Sequence, residues 1–434
     1  MTQTLPAVRV GQPLSVPTKH GDSAGSELAA LAELAAEGFA GGVTRIQELH
    51  HAVAQRSFGP TGPFSALPRV AHDSIAASLY SAVRGAGLAV GGGVARGVRA
   101  AGGGPRISDH PAGRLVQGGL NGVWGDRLEQ ASNALTVPMA VRVGGRDVAV
   151  DRAALATAFP EATARPVVFV HGLCESDAAW SIRAAQHGGS YASRVLPDVG
   201  GTAVLLRYNS GLHISDNGRR LDALLEALVD AWPVPIDDLV LVGHSMGGLV
   251  ARSAGHAATE NGRRWPSLVR TTVSLGTPHL GAPLERAAAL ATRALQTLPE
   301  SRPIAAVLAA RSAGIKDLRH GSLVDAEWET VDPDAVRGFH RAEVPLLPGA
   351  RHHVVAATLT ASPDHPVARV LGDLLVLSPS AHGLQGRRRV IAFELDDCRH
   401  VGGHDHFDLL NSPQLDPLLR EWLSVPRPLP ELLP

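Results

Sequence analysis

Cysteine is nearly absent, with Cys174 and Cys398 the only two in 434 residues. That scarcity excludes a disulfide framework, leaves one bridge between the pair open, and suits a reducing compartment. Aromatic residues make up only 4% of the chain, so a core has to be built from Val, Leu and Ala. Neither sign of charge prevails, at 40 Lys and Arg against 41 Asp and Glu. The whole molecule therefore has no general attraction to nucleic acid or anionic lipid. No apolar run reaches the roughly 18 to 20 residues that span a bilayer. Met1 to His20 contains no basic segment leading into an apolar one, so no secretion signal is expected. Together these absences set the expectation of a cytoplasmic protein. Glycine, by contrast, is plentiful at 47 residues, and glycine-containing patterns will arise in such a chain by accident.

The length exceeds a single small core and predicts two or three units, or one large α/β domain with additions. Residues 1–25 mix Pro, Gly, Thr and Ser without sustained periodicity and are expected to form a loose leader. Residues 26–137 are expected to form a helical N-terminal extension. Within it Leu28, Leu31, Leu34 and Phe39, then Val43, Ile46, Leu49 and Val53, recur at helical spacing. A break at Gly41 and Gly42 predicts two helices there. A further helix is predicted over Ile75 to Val98, although each of its glycines (Gly85, Gly87, Gly91 to Gly93) costs up to about 1 kcal/mol unless close packing compensates. Arg84, Arg96 and Arg99 flank that stretch. They leave peripheral membrane contact open beside the plainer reading of a buried helix pair.

From Met139 the texture changes to short β-branched runs separated by helical stretches, the pattern of a parallel sheet with crossover helices. Residues 138–434 are accordingly expected to form the catalytic domain. Eight strands are predicted: Ala140 to Val143, Asp147 to Val150, Val167 to Val170, Ala203 to Tyr208, Leu239 to Val242, Thr272 to Leu275, Val354 to Thr358 and Val390 to Glu394. Most are apolar on both faces, as buried parallel strands require. Residues 278–350 show helical pattern at Leu284 to Leu298 and Ile304 to Leu308 but no convincing strand, and form a candidate lid.

Gly-x-Ser-x-Gly occurs at Gly21 to Gly25 and at Gly243 to Gly247. A nucleophile elbow needs a strand running into a sharp turn that opens a helix, so that a strained Ser projects above the sheet. Leu239 to Val242 supplies the strand before Ser245 and Gly248 to Ala258 the helix after it. Ser23 lies in the leader. Upstream, Val167 to Val170 runs into His171-Gly172-Leu173, where an oxyanion donor belongs. The expected donors are the amides of Leu173 and Met246, and His171 and His244 read as structural. The base is expected after the last strand, among His400, His404 and His406. His406 is preferred because Phe407, Leu409 and Leu410 can anchor the segment that follows it, and His404 is the alternative. His404, Asp405, His406 and Asp408 could also hold a cation, but no second ligand group stands at recognisable spacing. The orienting carboxylate should fall between nucleophile and base. Asp373 is preferred over Asp364, whose flanking Pro363 and Pro366 read as a surface turn, and over Asp396 and Asp397. The order Ser, Asp, His is that of the α/β-hydrolases.

Several motifs together carry a family resemblance. They are Val-His-Gly-Leu at 170–173, Gly-His-Ser-Met-Gly-Gly at 243–248, Leu-Gly-Thr-Pro-His-Leu-Gly-Ala-Pro at 275–283, Gly-Asp-Leu-Leu-Val at 372–376 with Ser378 and Ser380-Ala381, and His-Phe-Asp-Leu-Leu at 406–410. Over roughly residues 165–425 the chain resembles bacterial triacylglycerol lipases and GPI inositol-deacylase-like esterases. The resemblance implies an α/β-hydrolase fold with a mostly parallel eight-stranded sheet and a helical lid insertion. It also implies a Ser245, Asp373, His406 triad with Leu173 and Met246 as oxyanion donors. The chain departs from some of those lipases in having Leu374 where they have glycine after the acid. Asp408 matches a calcium-ligating position in some of them, but no second carboxylate matches, and no metal is expected.

The expected function is a serine-dependent carboxylic-ester hydrolase acting through an acyl-enzyme on small-molecule or lipid-like esters, with no cofactor and no nucleic-acid partner. Leu280, Leu284, Leu290, Leu295, Ile304 and Leu308 suggest acyl chains, or equally a lid packed on its core. A thioesterase or acyltransferase would use the same triad. A catalytically silent hydrolase-like scaffold is the reading from a different class.

Overall fold

In the computed structural model, which describes residues 24–58, 66–101, 106–282, 302, 306, 310–329, 341–385 and 388–424, the sheet forms where the sequence is apolar on both faces. Its strands are β1 (Ala140–Val143), β2 (Arg146–Val148), β3 (Pro166–Val170), β4 (Thr202–Arg207), β5 (Leu239–His244), β6 (Val269–Leu275), β7 (Arg351–Thr358) and β10 (Cys398–Gly402). A separate small ribbon pairs β8 (Leu384–Gln385) with β9 (Arg388–Arg389). The eight strands run in the order β10-β7-β6-β5-β3-β4-β1-β2. All pairings from β10 to β4 are parallel, and β1 is antiparallel to both β4 and β2.

The period-2 alternation of strand side chains divides the central strands between two cores. Val168, Val170 and Leu241 meet α4 (Ile214–Ala231) and α5 (Met246–Glu260) through Leu221, Leu225, Leu228, Leu249 and Val250. Val167, Phe169, Val240 and Val242 meet Trp180, Tyr191, Leu409 and α6 (Asp416–Leu423) on the other face. Burying both faces brings the carboxyl ends of β3, β5, β6 and β7 to one edge, where an open parallel sheet presents its ligand crevice.

Two expectations are corrected. The eighth strand is Cys398–Gly402 rather than Val390–Glu394. Ile391 and Phe393 are apolar because they bury against Leu280 and Val354, whereas β10 pairs only with β7 at the sheet edge and tolerates polar residues. The helical segment before residue 58 is one helix, α1 (Ala24–Phe58), with no break at Gly41 and Gly42. It pairs antiparallel with α2 (Ala66–Ala100). Arg99 bridges Glu33 at 2.9 Å, and Tyr80 reaches His50 at 3.2 Å. This partnership offsets the glycine penalty.

A third helix, α3 (Pro111–Gln130), lies on the sheet end rather than beside it. Gly118, Gly122 and Gly125 share one face. A Cβ on Gly122 would collide with Cys174, and one on Gly118 with the Glu175 carbonyl. Asn209 Nδ2 donates to the Gly125 carbonyl at 2.9 Å. The backbone of α3 thus rests directly on the loop that leaves β3. The expected leader up to residue 23, with Ser23, lies outside the described residues. So do the helical patterns at 284–298 and 304–308, apart from Ala306. No described helix is long and apolar enough to cross a membrane.

Candidate active site

β5 ends at His244, and α5 opens at Met246, so Ser245 occupies the whole turn between them. Its backbone stands at φ 52° and ψ −124°, a conformation that costs a side-chain-bearing residue about 1 to 3 kcal/mol. The flanking glycines make the turn feasible. A Cβ on Gly243 would strike Gly248, and one on Gly247 would strike the Val170 carbonyl. The Ser245 amide donates to the Leu275 carbonyl at 2.8 Å, tying the turn to the end of β6. Ser245 is buried apart from 9% of its surface.

His406 sits beyond β10, on a short turn capped by Asp405. The Asp405 carboxylate accepts the amides of Phe407 and Asp408 at 2.9 Å each. Leu409 and Leu410 behind it are fully buried. The His406 ring presents Nδ1 to Asp373 Oδ2 at 2.8 Å, and the His406 amide donates to the Asp373 carbonyl at 3.0 Å. Asp373 is held in turn, its Oδ1 accepting the amides of Leu375 at 3.0 Å and Val376 at 2.7 Å. Both residues are almost wholly buried.

The imidazole packs over the end of β6. A Cβ built on Gly276 would lie 3.2 Å from His406 Cε1 and Nδ1, and Gly276 follows the residue that accepts the Ser245 amide. His406 Nε2 is buried and has no hydrogen-bond partner among the described residues. Among the described residues no hydrogen bond joins it to the Ser245 hydroxyl. Such contacts are often long before substrate binds and tighten in the complex.

The loop after β3 faces the same turn. A Cβ on Gly172 would come 2.9 Å from Ser245 Cβ. The next residue is Leu173. Met246 begins α5, where amides have no intrahelical acceptor, and among the described residues neither the Leu173 nor the Met246 amide has a hydrogen-bond partner.

The alternatives are placed elsewhere. His404 is buried with Nε2 on the Ser412 hydroxyl at 2.7 Å and Nδ1 on the Gly402 carbonyl at 3.0 Å. Asp364 is exposed in a surface turn, and Asp397 pairs with Arg351 and with His353. His171 is wholly buried and stacked on Tyr208. Its Nδ1 donates to the Gly172 carbonyl at 2.9 Å, and its Nε2 accepts the Tyr208 amide at 3.2 Å. Burial lowers its pKa, and the ring is fully engaged as a neutral imidazole. Asp405 and Asp408 both pair with Arg183. Among the described residues no group of three His, Cys, Asp or Glu side chains is arranged to hold a metal ion. Among the described residues Cys174 and Cys398 form no disulfide with each other.

Glu175 carries no motif signal, and reasoning from sequence passed over it. It is 6% exposed, accepts the Gly172 amide at 2.7 Å and meets His244 Nδ1 at 2.9 Å. The only available signal is an acidic residue three positions after Gly172 in a loop bound for the interior. Burial alone would raise the Glu175 carboxyl, but the charge and hydrogen bond of His244 outweigh it and hold the pKa below its ordinary value. Burial likewise opposes charge on His244, and the Glu175 carboxylate overrides it and raises the imidazole above its ordinary range. A cavity of about 1270 Å³ lies beside Arg341 to Pro348 and Val390 to Asp397, and none of Ser245, Asp373, His406, Glu175 and His244 lines it.

No curated protein matches the sequence. Among solved structures, the mature lipase BlEst2 of Bacillus licheniformis aligns at 18% identity over 60% of this chain and 92% of its own, with a TM-score of 0.36. An esterase of Pyrobaculum calidifontis aligns at 16% identity over 60% of this chain and 77% of its own, with a TM-score of 0.32. The Pyrococcus furiosus esterase Pf2001 aligns at 13% identity over 60% of this chain and 83% of its own, with a TM-score of 0.33. The family of PGAP1-like α/β domains matches residues 161–345, the stretch from β3 past the elbow. By its sheet order and its strand-turn-helix at Ser245 the chain has the α/β-hydrolase fold, and residues 161–345 are similar to the PGAP1-like α/β domain.

Proposed function

We propose that the chain is a serine-dependent carboxylic-ester hydrolase with Ser245 as nucleophile, His406 as general base and acid, and Asp373 as the residue that orients it. One observation carries this reading: a buried Asp373 and His406 pair, joined at 2.8 Å, packs against the same strand end as a Ser held at positive φ. Asp373 fixes the Nδ1–H tautomer and leaves Nε2 as the free basic nitrogen. In this mechanism the Ser245 oxygen attacks the ester carbonyl as Nε2 takes its proton. The oxyanion settles between the amides of Leu173 and Met246, a stabilisation worth about 3 to 4 kcal/mol per donor. His406 then returns the proton to the leaving alcohol, and water cleaves the acyl-enzyme by the same route.

The catalytic unit of this proposal is residues 138–434, with α3 seated on it and the lid at 278–350. A chain with only two cysteines suits a cytoplasmic setting. Exposed apolar side chains on the extension, among them Phe39, Ile46, Leu79 and Val90, suit peripheral contact with a membrane and substrates of lipid-like character.

A fluorophosphonate probe tests the nucleophile. The folded chain should be labelled at Ser245, and Ser245→Ala should not. Absence of labelling on the folded wild type would leave a non-catalytic scaffold. A chain-length series of p-nitrophenyl esters run beside acyl-CoA thioesters separates ester from thioester hydrolysis.

A further inference from the structure

We propose that Glu175 and His244 are positioning residues: a buried carboxylate and imidazolium that lock the loop bearing Leu173 to the loop carrying His406. The effect on turnover rests on the hydrolase reading above, whereas the charge state of the pair rests on the contacts around His244.

His244 lies wholly buried, between two acceptors. Its Nδ1 is 2.9 Å from Glu175 Oε1, and its Nε2 is 3.1 Å from the His406 carbonyl. A carbonyl can only accept, and so can an ionised carboxylate. A neutral imidazole has one N–H, so both contacts are satisfied only when the ring carries two protons. The competing arrangement puts the shared proton on the Glu175 carboxyl. It is opposed by the roughly two pKa units separating an imidazole from a carboxyl and by the Gly172 amide that already donates to Glu175 Oε2. The groups facing His244 are consistent with a cation there. Glu175 comes from the β3 loop and Asp373 from the loop after β7, while His406, His171 and the rings of Trp180 and Phe407 complete the surround.

The pair therefore spans the site in one line. The Gly172 amide is tied to Glu175, Glu175 to His244, and His244 to the backbone of the residue whose side chain meets Asp373. His244 itself precedes Ser245. Donor loop, nucleophile and base share a brace that touches no substrate.

Histidine ¹⁵N spectroscopy of the wild-type full chain reads the charge directly. Both His244 nitrogens should be protonated at neutral pH, and an unprotonated Nδ1 would overturn the proposal. Glu175→Gln keeps the size and the acceptor for Gly172 while removing the carboxylate, so His244 should become singly protonated. In this variant kcat should fall about 100-fold, the scale of an ångström-level misplacement, with KM nearly unchanged. The wild type should lose kcat/KM at alkaline pH as His244 gives up its second proton. That limb should vanish in Glu175→Gln and return in Glu175→Asp. A Glu175→Gln variant with wild-type kcat and an unaltered pH profile would refute the brace. Should Glu175→Gln not fold, the wild-type spectrum still decides. Should the wild type hydrolyse nothing and resist the fluorophosphonate probe, the hydrolase reading fails while the spectrum continues to judge the pair.

Discussion

Asp373 Oδ2 accepts the Nδ1–H of His406 at 2.8 Å while its other oxygen holds two backbone amides. The carboxylate is thus fixed from both sides before any substrate arrives. Asp373→Asn can present its amide to Nδ1 and stabilise the wrong tautomer, and kcat should fall by about 10⁴-fold. Asp364→Asn, in an exposed turn, should leave turnover unaltered. Equal, mild losses in steady-state kinetics of the two variants would refute the assignment.

Ser245 stands at φ 52°, so the elbow stores strain that only glycine escapes. Ser245→Gly and Ser245→Ala should both be inactive, but the glycine variant should be the more stable by about 1 kcal/mol after allowance for its more flexible unfolded chain. Chemical denaturation of the pair checks this, and an alanine variant at least as stable would show the turn to be unstrained.

Gly122 of α3 has no room for a side chain against Cys174. Gly122→Ala should displace the loop that bears Leu173, costing about 1 to 3 kcal/mol in stability and roughly 100-fold in turnover. Among the described residues nothing lies within 4 Å of the Cβ position of Gly41 in α1. Gly41→Ala should raise stability by up to about 1 kcal/mol and leave turnover alone. The two variants, measured together by melting and ester hydrolysis, should move in opposite directions.

Burial, with the nearby Glu175 carboxylate, pushes the Cys174 thiol up to about 11. Only the thiolate reacts with iodoacetamide, so at pH 8 this thiol should alkylate more than about 100-fold slower in the folded chain than in urea. Cys174→Ser should retain ester hydrolysis. Rapid alkylation of the folded protein, read by mass spectrometry, would contradict the buried placement.

The sheet was legible where burial is two-sided. Seven of its eight strands lie where β-branched runs such as Val167 to Val170 and Leu239 to Val242 put them. The eighth was misread because the edge strand Cys398–Gly402 has one neighbour and needs few apolar residues, while Val390 to Glu394 is apolar for a different reason, the burial of Ile391 and Phe393. At the site, Ser245 announces itself through strand, turn and helix. Asp373 and His406 could be ordered along the chain, but choosing Asp373 over Asp364 from residues alone rested on turn chemistry. Glu175 was invisible because what makes it matter is His244, 69 positions away, and no local pattern encodes that meeting.

The seat of α3 also bears on how the chain assembles. The helix is synthesised before any of Cys174, Glu175 or Asn209 exists, and its five glycines make it a poor helix in isolation. During translation only α1, which its Leu128 meets through Ala30 and Leu34, is there to support it until β3 and β4 have been made. Closure of this end of the sheet is then a late, long-range event that brings early sequence home onto a surface made afterwards.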